Sequence, residues 1–132
     1  MNQIFVRFPV LVLAGFALVL VFSGCSDNAD ELGVGAECAV ADDCNQDGIA
    51  QQCLQQFKGG YCGVTGCASN ADCPTDSACV THDDGQNYCF RTCQSKDECN
   101  ANRAVDNEAN CSSSVDFTDG DMGYKACVPP SA

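Results

Sequence analysis

The chain has 132 residues, with 6 basic and 18 acidic side chains, a formal net charge of −12, 13 cysteines and no tryptophan. Such an acidic excess lacks the Lys/Arg footprint that nucleic-acid phosphates require, and it disfavours lying flat on an anionic lipid surface. Few large apolar side chains lie beyond the first two dozen residues, so covalent staples are expected to replace much of a core.

Residues 1–24 form the first predicted element. Met1 to Arg7 carry one cationic side chain, Phe8 to Phe22 are almost wholly apolar, and Ser23 and Gly24 are small. A positive start, a short apolar run and a small-residue exit describe an export signal. The run is shorter than the roughly 20 apolar residues a membrane-spanning helix needs. The exit Val21-Phe22-Ser23-Gly24-Cys25 resembles the lipobox of bacterial lipoproteins. That resemblance implies a diacylglyceryl group on the Cys25 sulfur, cleavage just before it, and acylation of the new amino terminus. One acyl chain alone holds a protein only marginally, whereas two or three anchor it. In that family an Asp directly after the cysteine favours the inner membrane. Ser26 stands there, which leans toward the outer membrane. Loss of residues 1–24 leaves 5 basic and 18 acidic side chains, a formal charge of −13.

Residues 25–35 are polar and glycine-punctuated and read as a flexible tether spanning roughly 20 Å. Residues 36–132 follow as the disulfide-rich domain. If lipid consumes Cys25, 12 cysteines remain, an even number that forms six bridges in an oxidising compartment. They fall into three sets: Cys38, Cys44, Cys53, Cys62; then Cys67, Cys73, Cys79, Cys89; then Cys93, Cys99, Cys111, Cys127. The modules therefore run over about 38–62, 67–89 and 93–127. In each, an acid precedes the second cysteine: Asp43, Asp72 and Glu98. Ser69 and Ser95 stand three residues before the latter two, a capping-box pattern that predicts one helical turn between the first two cysteines. Val40 occupies that place in the first module, so its turn is expected to be less well formed. Lys58-Gly59-Gly60, Asp84-Gly85 and Asp119-Gly120 lie between the third and fourth cysteines. They predict hairpin tips, because tight turns need positive φ.

The fold expected is thus a small disulfide-rich chain of three tandem four-cysteine modules, with short β-hairpins and single helical turns. Bridges from first to third and second to fourth cysteine would tie both hairpin ends to the preceding turn. Exchange across the spacers, such as Cys62 with Cys67 or Cys89 with Cys93, remains the alternative, since connectivity is not deducible from sequence. The repeat spacing over about residues 35–128 resembles the tandem cysteine-rich lipoproteins of myxobacteria and their relatives, and loosely EGF-like modules lacking their third pair.

Candidate chemistry is sparse. Oxidised cysteines offer no thiolates for zinc, and no Cys-x-x-Cys redox motif occurs. Asp43-Cys44-Asn45-Gln46-Asp47-Gly48 matches the opening of an EF-hand loop, but Leu54 stands where its closing Glu belongs. Asp116, Asp119 and Asp121 make another acidic tip. His82, the sole histidine, lies beside Asp83 and Asp84 on a predicted hairpin arm and is expected to be solvated. No nucleophile motif appears. The expectation is a non-enzymatic, cofactor-free cell-envelope protein, held to a membrane by lipid, which binds a partner or serves as structure. The alternative is an inhibitor of extracellular proteases, with Lys58 or Arg103 as the reactive residue of a rigid loop.

Overall fold

The computed structural model describes residues 33–132, so the expected export signal, Cys25 and most of the expected tether lie outside the described residues. Six disulfides join Cys38–Cys53, Cys44–Cys62, Cys67–Cys79, Cys73–Cys89, Cys93–Cys111 and Cys99–Cys127. Every module thus pairs its first cysteine with its third and its second with its fourth, and no bridge crosses a spacer. The third and fourth cysteines face one another across antiparallel strands in all three modules, as Cys53↔Cys62, Cys79↔Cys89 and Cys111↔Cys127. The disulfides therefore do not clip the strand pairs to themselves. They tie both strands back to the helical turn.

Those turns form where the acids predicted them: Ala41–Asp43 and Asn70–Asp72 as 3₁₀ turns, and α1 at Lys96–Cys99. The expected weakness at Val40 is not observed. Asp43 Oδ2 accepts the backbone N–H groups of Ala39 and Val40 at 2.8 and 3.0 Å, and Asp72 Oδ2 accepts those of Ala68 and Ser69 at the same distances. In the 3₁₀ geometry the amide of the acid itself bonds the carbonyl of Val40 or Ser69. A serine hydroxyl at the cap then has no third-residue amide to accept. In the third module Ser95 instead donates to Glu98. The acid does the capping, and valine is tolerated.

These hydrogen bonds hold Asp43 and Asp72 below the ordinary carboxylate range, the amides of Ala39 and Ala68 contributing most. A carboxylate with a depressed folded pKa stabilises above its unfolded pKa, near 3.9. That stabilisation is lost as pH falls through the folded value. The thermal midpoint should therefore fall as pH is lowered below about 4. Asp43→Asn with Asp72→Asn, which keeps an acceptor oxygen but removes titration, should make that drop shallower in a melting series against pH.

Seven strands follow in chain order: β1 Gln52–Cys53, β2 Cys62–Gly63, β3 Ser77–Thr81, β4 Asn87–Cys93, β5 Asn110–Ser112, β6 Asp116–Phe117 and β7 Lys125–Val128. The first two modules are hairpins as expected, β1 with β2 around Gly59-Gly60 and β3 with β4 around Asp84-Gly85. The Gly60 turn demands glycine, with φ at +68° and a Cβ there lying 2.1 Å from the Cys38 carbonyl oxygen. The third module departs from a simple hairpin. β5 pairs with β7, but β6 leaves the module and pairs with β3 of the second. β4 also pairs with β7, giving one sheet of order β5-β7-β4-β3-β6.

Sequence connects the two edges of that sheet almost directly. Strands about 4.8 Å apart put edge strands four steps distant at roughly 19 Å if flat. The chain from Ser112 to Asp116 reaches only about 14 Å when extended. The sheet accordingly curls, and Ser113–Val115 straps its edges together.

Inside the curl lies one core drawn from all three modules: Val34, Leu54, Phe57, Tyr61, Ala78, Val80, Tyr88, Phe90, Phe117 and Ala126. The modules are separate in their disulfides and merged in their sheet and core, so more apolar surface is shared than composition suggested. Phe57 meets Tyr61, Tyr88 and Phe90 edge-on, with centroids at 5.2–6.0 Å. Tyr61 is fully buried, its hydroxyl donating to the Cys127 carbonyl and accepting the Arg91 N–H, each at 3.1 Å. Gly33 to Ala36 are buried, and Val34 is completely so. The expected tether is therefore already part of the domain by Gly33, because Val34 fills the first module's side of the core.

Candidate functional site

All 12 cysteines after Cys25 are consumed in bridges. In each module three sulfurs, those of the first, second and fourth cysteines, cluster within 4.8 Å because the two disulfides lie side by side. Oxidised, they offer no thiolate to a metal. Titration of denatured, unreduced protein with a thiol reagent should detect no thiol in residues 33–132. A reproducible count of two or more in that segment would contradict the pairing.

The EF-hand-like loop uses its groups internally. Asp43 caps its turn, Asn45 Oδ1 accepts the Asp47 N–H at 2.8 Å, and the Gln46 amide donates to the carbonyls of Ala41, Cys44 and Gln51. Leu54, at the closing position, is buried in the core. The loop is shaped by these side-chain bonds.

His82 is not the solvated residue expected. Its side chain is 11% exposed and packs edge-on against Phe57, Tyr88 and Phe90 at 5.3–5.9 Å. The inner face of the β3–β4 arm turns it inward. Its Nδ1 lies 3.5 Å from one Asp84 oxygen, while the other accepts the Tyr88 hydroxyl at 2.7 Å. Asp84 is held below the ordinary carboxylate range, first by the Gln86 amide and then by that hydroxyl. A pocket of about 250 Å³ adjoins His82, with Val80, Phe90, Val115 and Val128 on its apolar side.

Arg103 is likewise not an exposed loop residue. Its Nε donates to Asn107, its Nη1 to Gly35 and Gly60, and its Nη2 to Lys58, all at carbonyl oxygens and at 2.7–3.2 Å. The guanidinium also sits 5.5 Å over the Tyr61 ring. Buried and bonded to four backbone carbonyls, Arg103 cannot enter a protease. Lys58 is exposed, although its ammonium donates to the Asp106 carbonyl at 2.7 Å.

The third acidic tip opens into a cleft. Asp119 Oδ2 accepts the Asn70 N–H at 2.8 Å and so ties the excursion to the second module. Asp121 Oδ1 accepts the Gly123 N–H at 2.9 Å. Between Val115–Phe117 and Gly120–Lys125 lies a space of about 530 Å³. Phe117 and Tyr124 form an edge-to-face pair at 5.4 Å in its wall, and Asp116, Asp121 and Lys125 carry its charge. The sequence predicts Asp116, Asp119 and Asp121 as an acidic hairpin tip, and the structure opens that tip into a cleft. The available signal was the long interval from Cys111 to Cys127, more than a tight hairpin requires.

The chain matches no protein-family model, and neither the curated proteins nor the solved structures searched include a detectable match.

Proposed function

We propose that this chain is a non-enzymatic lipoprotein of a bacterial cell envelope, exported, anchored through lipid on Cys25, and presenting a rigid binding module outside the cytoplasm. The observation that supports it best is the cysteine balance. Twelve cysteines close six bridges among themselves and leave Cys25 for other chemistry, directly after an apolar export-like run. Six disulfides in so short a domain fit an oxidising compartment. The outer membrane is the favoured site, from Ser26 beside the lipidated position. The binding role draws on the cleft in the third module, whose volume lies within the usual range for ligand sites.

Cys25→Ser tests the anchor. The variant should incorporate no labelled acyl chain and should accumulate as an uncleaved, membrane-held precursor in fractionated cells. Acyl labelling equal to that of the parent chain would sink the proposal.

A further inference from the structure

We infer that the cleft between Val115–Phe117 and Gly120–Lys125 binds small organic cations, an ammonium group carried on an apolar body. This deepens the binding-module reading above and rests on it.

The wall comes first. Phe117 and Tyr124 meet at 88°, so their ring faces point in two nearly perpendicular directions. In such a pair the edge of one ring covers the face of the other, and Phe117 is buried, so the half-buried Tyr124 is the ring whose π quadrupole can draw a cation in the cleft. Val115 beside them supplies apolar surface for the body of the ligand. The rim comes second. Asp116 and Asp121 outnumber Lys125, leaving the rim with a net charge of −1 from two acids and one base. The hydrogen bond from Gly123 uses Oδ1 of Asp121, which fixes the side chain and leaves Oδ2 for a ligand. Asp119 is turned away to Asn70 and does not line the cleft. The whole chain, at −12, adds a field that concentrates cations near the surface.

The same features select against other ligands. Hard metal ions take about six to eight oxygens, whereas the carboxylates of Asp116 and Asp121 offer at most four, one of them already bonded to the Gly123 N–H. An anion would find Lys125 outnumbered. A purely apolar molecule would strip water from two carboxylates without compensating them.

The test uses the full chain in detergent, with the Tyr124 ring and Gly123 amide followed by NMR. Benzyltrimethylammonium is titrated beside neutral benzyl alcohol and anionic benzoate. The cation alone should give saturable shifts. Asp121→Asn, which keeps an oxygen for the Gly123 N–H, should weaken it by about tenfold, within the reach of a cation seated against carboxylate and ring. Lys125→Gln should strengthen it several-fold. Opposite responses to these two changes are not expected of a merely structural perturbation. Absence of saturable shifts with the cation overturns the inference, as does unchanged affinity in both variants. Equal binding of benzyl alcohol or benzoate also overturns it, while leaving the cleft as a ligand site and the binding-module reading intact.

Discussion

Arg103→Ala should lower the unfolding free energy by about 3–5 kcal/mol, because four backbone carbonyls lose a buried donor at once. Arg103 comes from the third module, yet two of its four carbonyl partners, Lys58 and Gly60, belong to the first, and a third, Gly35, lies in the segment leading into it. It is 9% exposed, so water cannot readily replace what the guanidinium supplies. Each carbonyl left bare in a buried setting costs about 1–3 kcal/mol. Loss of the cation over Tyr61 adds to that. Arg103→Lys should recover only part of the loss, since an ammonium lacks the planar fork that reaches carbonyls on several sides. Denaturant melts without reductant provide the measurement. A loss under about 1 kcal/mol for Arg103→Ala would mean that the joint between the two modules is held by packing alone.

Replacing Cys99 and Cys127 together by alanine should be the most damaging disulfide removal. That bridge spans 28 residues, against 12 for Cys67–Cys79. In the chain-entropy model the longer loop contributes about 3.6 kcal/mol and the shorter about 2.8 kcal/mol. Structure widens the gap. Cys99 anchors α1 to β7, and β7 is the strand through which the third module joins β4. Freeing it should loosen the shared sheet, so near-ultraviolet signals from the core tyrosines should melt with the third module. If the Cys67/Cys79 pair proves the more sensitive, loop length is not what sets the order.

The disulfide skeleton was legible because three sets share one layout. A single local pairing satisfied all of them. Helical turns were legible from Asp43, Asp72 and Glu98, and at the first two the carboxylate reaches back to the cap N–H as a capping box requires. What spacing could not carry was the relation between modules. Nothing local in Asp116-Phe117 distinguishes a hairpin arm from a strand that crosses to β3, since both need an extended pair with one buried side chain. His82 and Arg103 were misplaced for a related reason. Polar residues on loops read as solvated until long-range packing provides Phe57 and Phe90 for the one, and the carbonyls of Gly35, Lys58 and Gly60 for the other. The cleft was illegible as a cleft, because its walls come from two halves of an excursion that only the β3–β6 pairing separates.

The alternating bridges also determine what a single peptide-bond cut can do. A cut anywhere within Cys38–Cys62, Cys67–Cys89 or Cys93–Cys127 leaves both pieces joined through another bridge, the excursion around the cleft included. Between Cys38 and Cys127 a protease can divide the molecule only at the two spacers, Cys62 to Cys67 and Cys89 to Cys93. Both run in paired backbone: Val64 and Gly66 bond Cys89 and Asn87, and Phe90 to Thr92 belong to β4, where Phe90 is fully buried. A single nick in an exposed loop within a module therefore leaves the domain in one covalent piece.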